Sequence, residues 1–317
     1  MSETWVKIEK GLIISVILSI IVYAVFIFLS DYNSILNAVK MIGLFVILLL
    51  LCLSMFNYCF RFIRWHYLLS KFCVKIPIRD SLKVFLAGLC LTITPGKAGE
   101  LFKASFVKEF ADVSRIKVIP IIILERVFDL IGFAMILLLS LLFFSPSQFL
   151  MPAVIAVGVV FISFICVFLF LRLNSAKKLL LLVIERFKFL HDKKNLLLDT
   201  FNDYAHMSIL RIIFLIMISF AGWLFETLEL YVLLLSFGVS VTVFSAGFVY
   251  GLSSLVGLLT FTPGGILGFE ASSELLMSNI LGVAVPVAAV ITLIVRLTTL
   301  WFAVLIGLVS YVKFFKH

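Results

Sequence analysis

The sequence predicts an all-α polytopic membrane protein: about six full transmembrane helices plus two re-entrant Pro-Gly hairpins in an inverted repeat, with both termini cytoplasmic. Three observations carry this. Hydrophobic residues form 63% of the 317-residue chain and mean hydropathy is +1.25, far above the roughly 45–50% apolar share of soluble domains. Several apolar runs reach the ~20 residues needed to cross a ~30 Å hydrocarbon core. And twice a Thr-Pro-Gly break interrupts such a run and is followed by a glutamate, in TITPGKAGE (Thr92 to Glu100) and TFTPGGILGFE (Thr260 to Glu270). Proline and glycine end a helix and free backbone groups that lipid cannot satisfy, so such breaks persist only where protein, water or a ligand meets them.

Taken in order, Met1–Lys10 is short and leads into an apolar stretch, 11–30, with no small-residue cleavage site after it; this reads as a retained first helix. Residues 41–60 form the second span. Residues 84–94 are apolar but too short to cross, end at Pro95-Gly96, and have basic segments on both sides, so the hairpin 84–115 enters from the cytoplasm and returns to it. Spans 118–144 and 151–171 follow, joined around Ser145-Pro146-Ser147. The stretch 172–208, rich in Lys, Leu and Phe, reads as short amphipathic helices on the inner leaflet. Span 209–236 then runs outward and 284–311 inward, so the hairpin between them, 243–281 with Pro263-Gly264, enters from outside. Residues 41–144 and 209–311 thus form two halves of opposite topology. In both, the glutamate after the break lies 26 residues before an arginine within the next span: Glu100 to Arg126, and Glu270 to Arg296. That is the pattern of many secondary transporters.

The net charge of +9 is a topology signal rather than a nucleic-acid footprint. Of 26 Lys and Arg, 22 fall in segments assigned to one side, Lys40 alone lies on the other, and Lys97, Arg126 and Arg296 sit inside apolar segments. The positive-inside rule makes the crowded side cytoplasmic. The five cysteines form no C-x-x-C and the four histidines have no ligand spacing, so no metal and no cofactor are expected.

Charges inside the spans are the candidate functional groups. Glu125 and Asp129 share a helix face, and Arg126, three residues before Asp129, can pair with it. Glu226 and Glu229 share a face whose nearest base on the same helix is Arg211, so their partners come from other helices, with Arg126 and Arg296 the candidates. Seven acids (Glu100, Glu125, Asp129, Glu226, Glu229, Glu270, Glu274) face three bases (Lys97, Arg126, Arg296). Such a surplus of carboxylate leaves two outcomes: some carboxyls keep a proton, which suggests protons as the coupling ion, or the cavity receives a cation. A closed ion-pair network that only fixes packing is the bland alternative. Lys97 beside freed backbone amides suits a phosphate-sized anion, the alternative being a lysine that snorkels to the interface. An anion site beside acids fits a zwitterionic or aminoacylated phospholipid.

Arg64-Trp65, PGKAGE (95–100), ERVFD (125–129) and TPGGILGFE (262–270), in that order, resemble the lysylphosphatidylglycerol synthetase transmembrane, or flippase-like, family. That family includes the membrane half of the bacterial multiple-peptide-resistance factor, and the likeness runs over nearly the whole chain. Pro95, Gly96, Gly99, Glu100, Glu125, Arg126, Asp129, Pro263, Gly264, Gly265 and Glu270 match its pattern. Lys97 stands where the family has Arg or Lys. The second motif departs from the usual P-G-G-x-G, with Leu267 in the fourth place after Pro263 and glycine one later, at Gly268. The resemblance implies a flippase of a bacterial-type cytoplasmic membrane, moving an aminoacyl-phosphatidylglycerol-like or polyprenyl-linked lipid and linked to antimicrobial peptide resistance. The substrate-binding set would be Lys97, Glu100, Glu125, Arg126, Asp129, Glu226, Glu229, Glu270 and Arg296. No enzyme activity is expected, since the soluble synthase half is absent. An intramembrane lipid or glycosyl transferase, with Asp31 or the Glu125/Asp129 pair as base, and a membrane subunit for a separate lipid-modifying enzyme are the alternatives.

Overall fold

The computed structural model describes residues 42–173, 177–179, 181–182, 186, 194–205 and 207–315. Among them every regular element is helical, so the chain is an all-α polytopic membrane protein, as hydropathy predicts. In chain order the helices are α1 (Leu44–Lys71), α2 (Ile78–Gly88), α3 (Lys103–Phe110), α4 (Arg115–Phe143), α5 (Leu150–Leu171), α6 (Lys194–Ala205), α7 (Ile209–Ser236), α8 (Val243–Leu259), α9 (Gly268–Leu281), α10 (Val285–Arg296) and α11 (Phe302–Phe314). Two 3-10 turns, Leu89–Ile93 and Ala98–Phe102, flank the first break. A π turn, Leu297–Trp301, joins α10 and α11 into one rod.

Among the described residues four helices are long and apolar enough to cross a membrane: α1, most of α5, α7 and the α10–α11 rod. At 29 residues α4 matches them in length, about 43 Å at ~1.5 Å per residue, and carries Glu125, Arg126 and Asp129 along its course. The spans expected at 118–144, 151–171, 209–236 and 284–311 coincide with α4, α5, α7 and the rod to within three residues at each end. The span expected at 41–60 differs: α1 runs on to Lys71, because Arg61 and Arg64 are covered by neighbouring helices instead of entering a loop. The span expected at 11–30, Asp31 and Lys40, His191, His206 and His317, and much of the amphipathic stretch 172–208 lie outside the described residues.

The two breaks share one backbone construction. After Pro95, Gly96 and Lys97 are both left-handed (φ 57° and 56°); after Pro263, Gly264 and Gly265 are both left-handed (φ 62° and 70°). Each break is closed by the same two bonds. Lys97 N–H donates to Thr94 O (2.8 Å) and Ala98 N–H to Pro95 O (3.1 Å); Gly265 N–H donates to Thr262 O (3.0 Å) and Ile266 N–H to Pro263 O (3.1 Å). Proline at the first corner and positive φ after it are what overlapping tight turns demand.

Packing brings together helices distant in sequence. α1 lies along α7, α4 packs against α8, and α11 packs against α2 and the 3-10 turn that follows it. Small residues set the closest approaches, as in membrane helices generally. A β-carbon on Gly307 of α11 would sit 2.1 Å from the backbone nitrogen of Cys90, and one on Gly247 of α8 would meet Ser140 Oγ of α4 at 2.5 Å. One apolar core surrounds Trp65, Leu89, Phe106 and Phe128; the other surrounds Phe248, Leu276, Ile291 and Leu234.

Two predictions follow from backbone geometry. Gly307→Ala should destabilise the detergent-purified protein by about 1–3 kcal/mol, the usual cost of overpacking, since backbone and not a movable side chain blocks the methyl. Gly158→Ala, with open space around it, should leave the melting temperature nearly unchanged. Leu267 holds φ 75° and ψ −46° before α9, a conformation costing about 1–3 kcal/mol in a non-glycine residue. Leu267→Gly should therefore raise the melting temperature, and a fall would show that no strain is stored there.

Candidate functional site

The tips of the two breaks meet: Pro95 and Pro263 pair across a single antiparallel backbone bridge. Behind this junction lies a cavity of about 90 Å³, several times the roughly 10–15 Å³ that one ordered water needs. The first break contributes Thr92, Gly96 and Lys97; the second contributes Phe261, Thr262, Gly264 and Gly265. The walls are Arg61 from α1, Trp223 and Glu226 from α7, Tyr250 and Ser254 from α8, and Arg296 and Thr299 from the rod. Phe261 is 71% exposed and stands at the surface end.

Beside the cavity runs a chain of alternating charges. Arg64 contacts Asp129 at 2.6 Å, Asp129 contacts Arg126 at 2.9 Å, and Arg126 contacts Glu100 at 2.9 Å. Glu100 lies 3.4 Å from Lys103, which contacts Glu125 at 2.6 Å. Three bases balance three acids, which is how charges survive burial. Neighbours outside the chain of charges fix Arg64, Asp129 and Lys103. Ser219 Oγ lies 2.6 Å from Arg64, and Trp223 Nε1–H donates to Asp129 (3.1 Å). The Lys103 stem crosses Gly88, where a β-carbon would come within 2.4 Å of it, and its ammonium lies 4.6 Å from the Trp65 ring centre.

At the second break Arg296 Nε donates to Glu270 (2.8 Å), and the same guanidinium donates to the Gly264 carbonyl freed by the break. Both Glu–Arg pairs that the sequence spaces 26 residues apart are thus in contact. The π turn releases further carbonyls: Ser54 Oγ lies 2.7 Å from Thr298 O, and Tyr58 donates to Thr299 O (2.8 Å).

Several expectations are corrected here. Glu226 and Glu229 are not partnered by Arg126 and Arg296. Glu226 accepts from the Tyr250 hydroxyl, and Glu229 accepts from Ser54 (2.7 Å) and Thr298 (2.9 Å). The surplus of acids also shrinks to one. Arg61, Arg64 and Lys103, assigned from sequence to flanking basic segments, are buried, so six bases stand against the seven acids. Around the cavity itself Arg61, Lys97 and Arg296 outnumber Glu226. Local hydropathy misplaced these bases because it ends a span at the first charges. A signal was available: Ser54, Asn57, Arg61 and Arg64 follow at spacings of three and four, one face of a helix, and all four are buried.

Of the residues singled out from sequence, Lys97, Glu226 and Arg296 line the cavity, as do Gly96, Gly264 and Gly265. Glu100, Glu125, Arg126 and Asp129 belong to the charge chain, and the Arg126–Asp129 pair forms as its spacing implies. Glu270 holds Arg296, Glu229 braces the π turn, and Gly99 N–H donates to Thr94 Oγ1 (2.7 Å). Among the described residues no group of His, Cys, Asp and Glu could hold a metal ion.

Removing one member of the charge chain should cost far more than removing a pair. Arg64→Met should destabilise by about 3–5 kcal/mol, and Arg64→Met with Asp129→Asn should recover part of that loss in a thermal melt.

Residues 16–307 match the family described as lysylphosphatidylglycerol synthase TM region. A UPF0104 membrane protein of Methanothermobacter thermautotrophicus is 21% identical over 322 residues, covering 95% of each chain. A UPF0104 membrane protein of Methanocaldococcus jannaschii is 22% identical over 263 residues, covering 78% of each chain. With the family match spanning nearly the full length, the chain belongs to the lysylphosphatidylglycerol synthase TM region family.

Proposed function

We propose that this protein moves a lipid with a polar headgroup between membrane leaflets. The lipid would be an aminoacyl-phosphatidylglycerol-like phospholipid or a polyprenyl-linked lipid. The observation that carries the reading is the meeting of two helix breaks, one from each half, over a charged cavity in an otherwise apolar helical protein. Broken helices in corresponding halves are where transporters hold substrate. In this reading the headgroup occupies the cavity while its tails stay in lipid, with Phe261 at the mouth.

The shared turn bonds and the twin Glu–Arg contacts favour an inverted repeat with halves 41–144 and 209–311 and hairpins 84–115 and 243–281. The distribution of Lys and Arg favours cytoplasmic termini in a bacterial-type cytoplasmic membrane. No transfer chemistry is assigned to the chain. A separate lipid-modifying enzyme would supply the substrate, and protons, held at Glu226 or Glu229, would be the coupling ion.

The test is headgroup accessibility in reconstituted vesicles. Wild-type protein should carry a labelled phospholipid headgroup across the bilayer. Arg126→Ala and Glu270→Ala, which release the two hairpins, should slow it at least tenfold. Transport by both variants at the wild-type rate would remove the site assignment. Transfer of a radiolabelled headgroup to an acceptor by the purified protein would favour the enzyme alternative.

A further inference from the structure

We infer that Arg61 and Lys97, both packed against Trp223, form the oxyanion subsite of the cavity and take the phosphate of the ligand. This rests on the transport reading for where the phosphate comes from, but its geometry stands alone. Four of the bases in the core already have carboxylates within 4 Å: Arg64, Lys103, Arg126 and Arg296. Arg61 and Lys97 have none among the described residues. Arg61 is only 6% exposed, its Nε makes no hydrogen bond, and its guanidinium carbon lies 5.2 Å from the Trp223 ring centre. Lys97 is half-buried, with Nζ 5.6 Å from the same ring centre.

Two cations on one indole repel each other, and a ring quadrupole replaces only part of the water each has lost. An oxyanion between them removes both deficits. Arg61 supplies planar donors and Lys97 a point charge, a pairing suited to phosphate. Trp223 is a positioning residue: its Nε1–H is held by Asp129, and Gly132 leaves room for its ring. The subsite also makes the junction asymmetric. Lys97 occupies the second left-handed place of the first break, and Gly265 occupies that place in the second break.

That correspondence supplies a clean variant. Glycine adopts the Lys97 conformation without steric cost, so Lys97→Gly removes the charge and keeps the turn. Binding to the purified full-length protein in detergent would be measured by calorimetry, at constant ionic strength, with dioctanoyl phosphatidylglycerol and with inorganic phosphate. Wild type should bind at least one of them. Lys97→Gly and Arg61→Met should each weaken binding at least tenfold, while Arg79→Met, an exposed base on α2, should not.

Preference for the lipid identifies a headgroup as the source of the phosphate, and equal or stronger binding of inorganic phosphate identifies a soluble anion; either supports the subsite. If Arg61→Met fails to fold, Lys97→Gly decides. Wild-type affinity in Lys97→Gly, an equal loss in Arg79→Met, or no binding of either probe by wild type overturns the inference. Loss of binding in the variants without headgroup crossing by wild type would keep the subsite and remove the transport reading. Crossing by wild type with unchanged binding in the variants would do the reverse.

Discussion

Two carboxylate–guanidinium contacts, Glu100 with Arg126 and Glu270 with Arg296, hold the returning limb of each helix break to the span that follows it. Without them the breaks would present freed peptide groups and unpaired charges to an apolar surrounding, each costing several kcal/mol. Arg296 meets both demands at once, since it pairs with Glu270 and takes the Gly264 carbonyl. Arg126 instead extends the pairing through Asp129 to Arg64, so the first break is tied to α1 as well as to α4. The junction at Pro95 and Pro263, and the cavity behind it, exist because both limbs are held this way.

The polar interior divides by charge balance. The chain from Arg64 to Glu125 is neutral and closed, which suits a fixed support. The cavity wall is not closed: among the described residues Arg61 and Lys97 lack carboxylate partners, while Glu226 is satisfied by a neutral hydroxyl. A ligand that supplies an anion completes the wall without disturbing the support. The π turn in the α10–α11 rod lies beside this wall, its Thr299 carbonyl taken by Tyr58, so α1 grips the rod where its helical bonding is weakest.

Most of the helical plan was legible in the chain. Apolar runs located α4, α5, α7 and the rod closely, and the Thr-Pro-Gly motifs located both breaks. The equal spacing of Glu100–Arg126 and Glu270–Arg296 marked corresponding places in the chain, but that each glutamate contacts its own arginine was seen only in the fold. Less legible was the fate of charges near the ends of apolar runs. Arg61, Arg64 and Lys103 read as interfacial because hydropathy averages along the chain, whereas their burial comes from helices distant in sequence.

The sequence by itself determined the all-α membrane class, the places where helices must break, and the equal spacing from each break to a downstream arginine. These follow from local rules: apolar length, the missing N–H of proline, and the spacing of charges on a helix. Only the tertiary structure decided that the breaks touch and that Glu226 and Glu229 rest on hydroxyls. It alone also turned an apparent surplus of acid into a cavity rich in base. The reason is that a buried charge is stabilised by whatever the fold brings within about 4 Å, and those partners come from helices that the sequence separates by 94 residues in the case of Asp129 and Trp223 and by 175 in the case of Glu229 and Ser54.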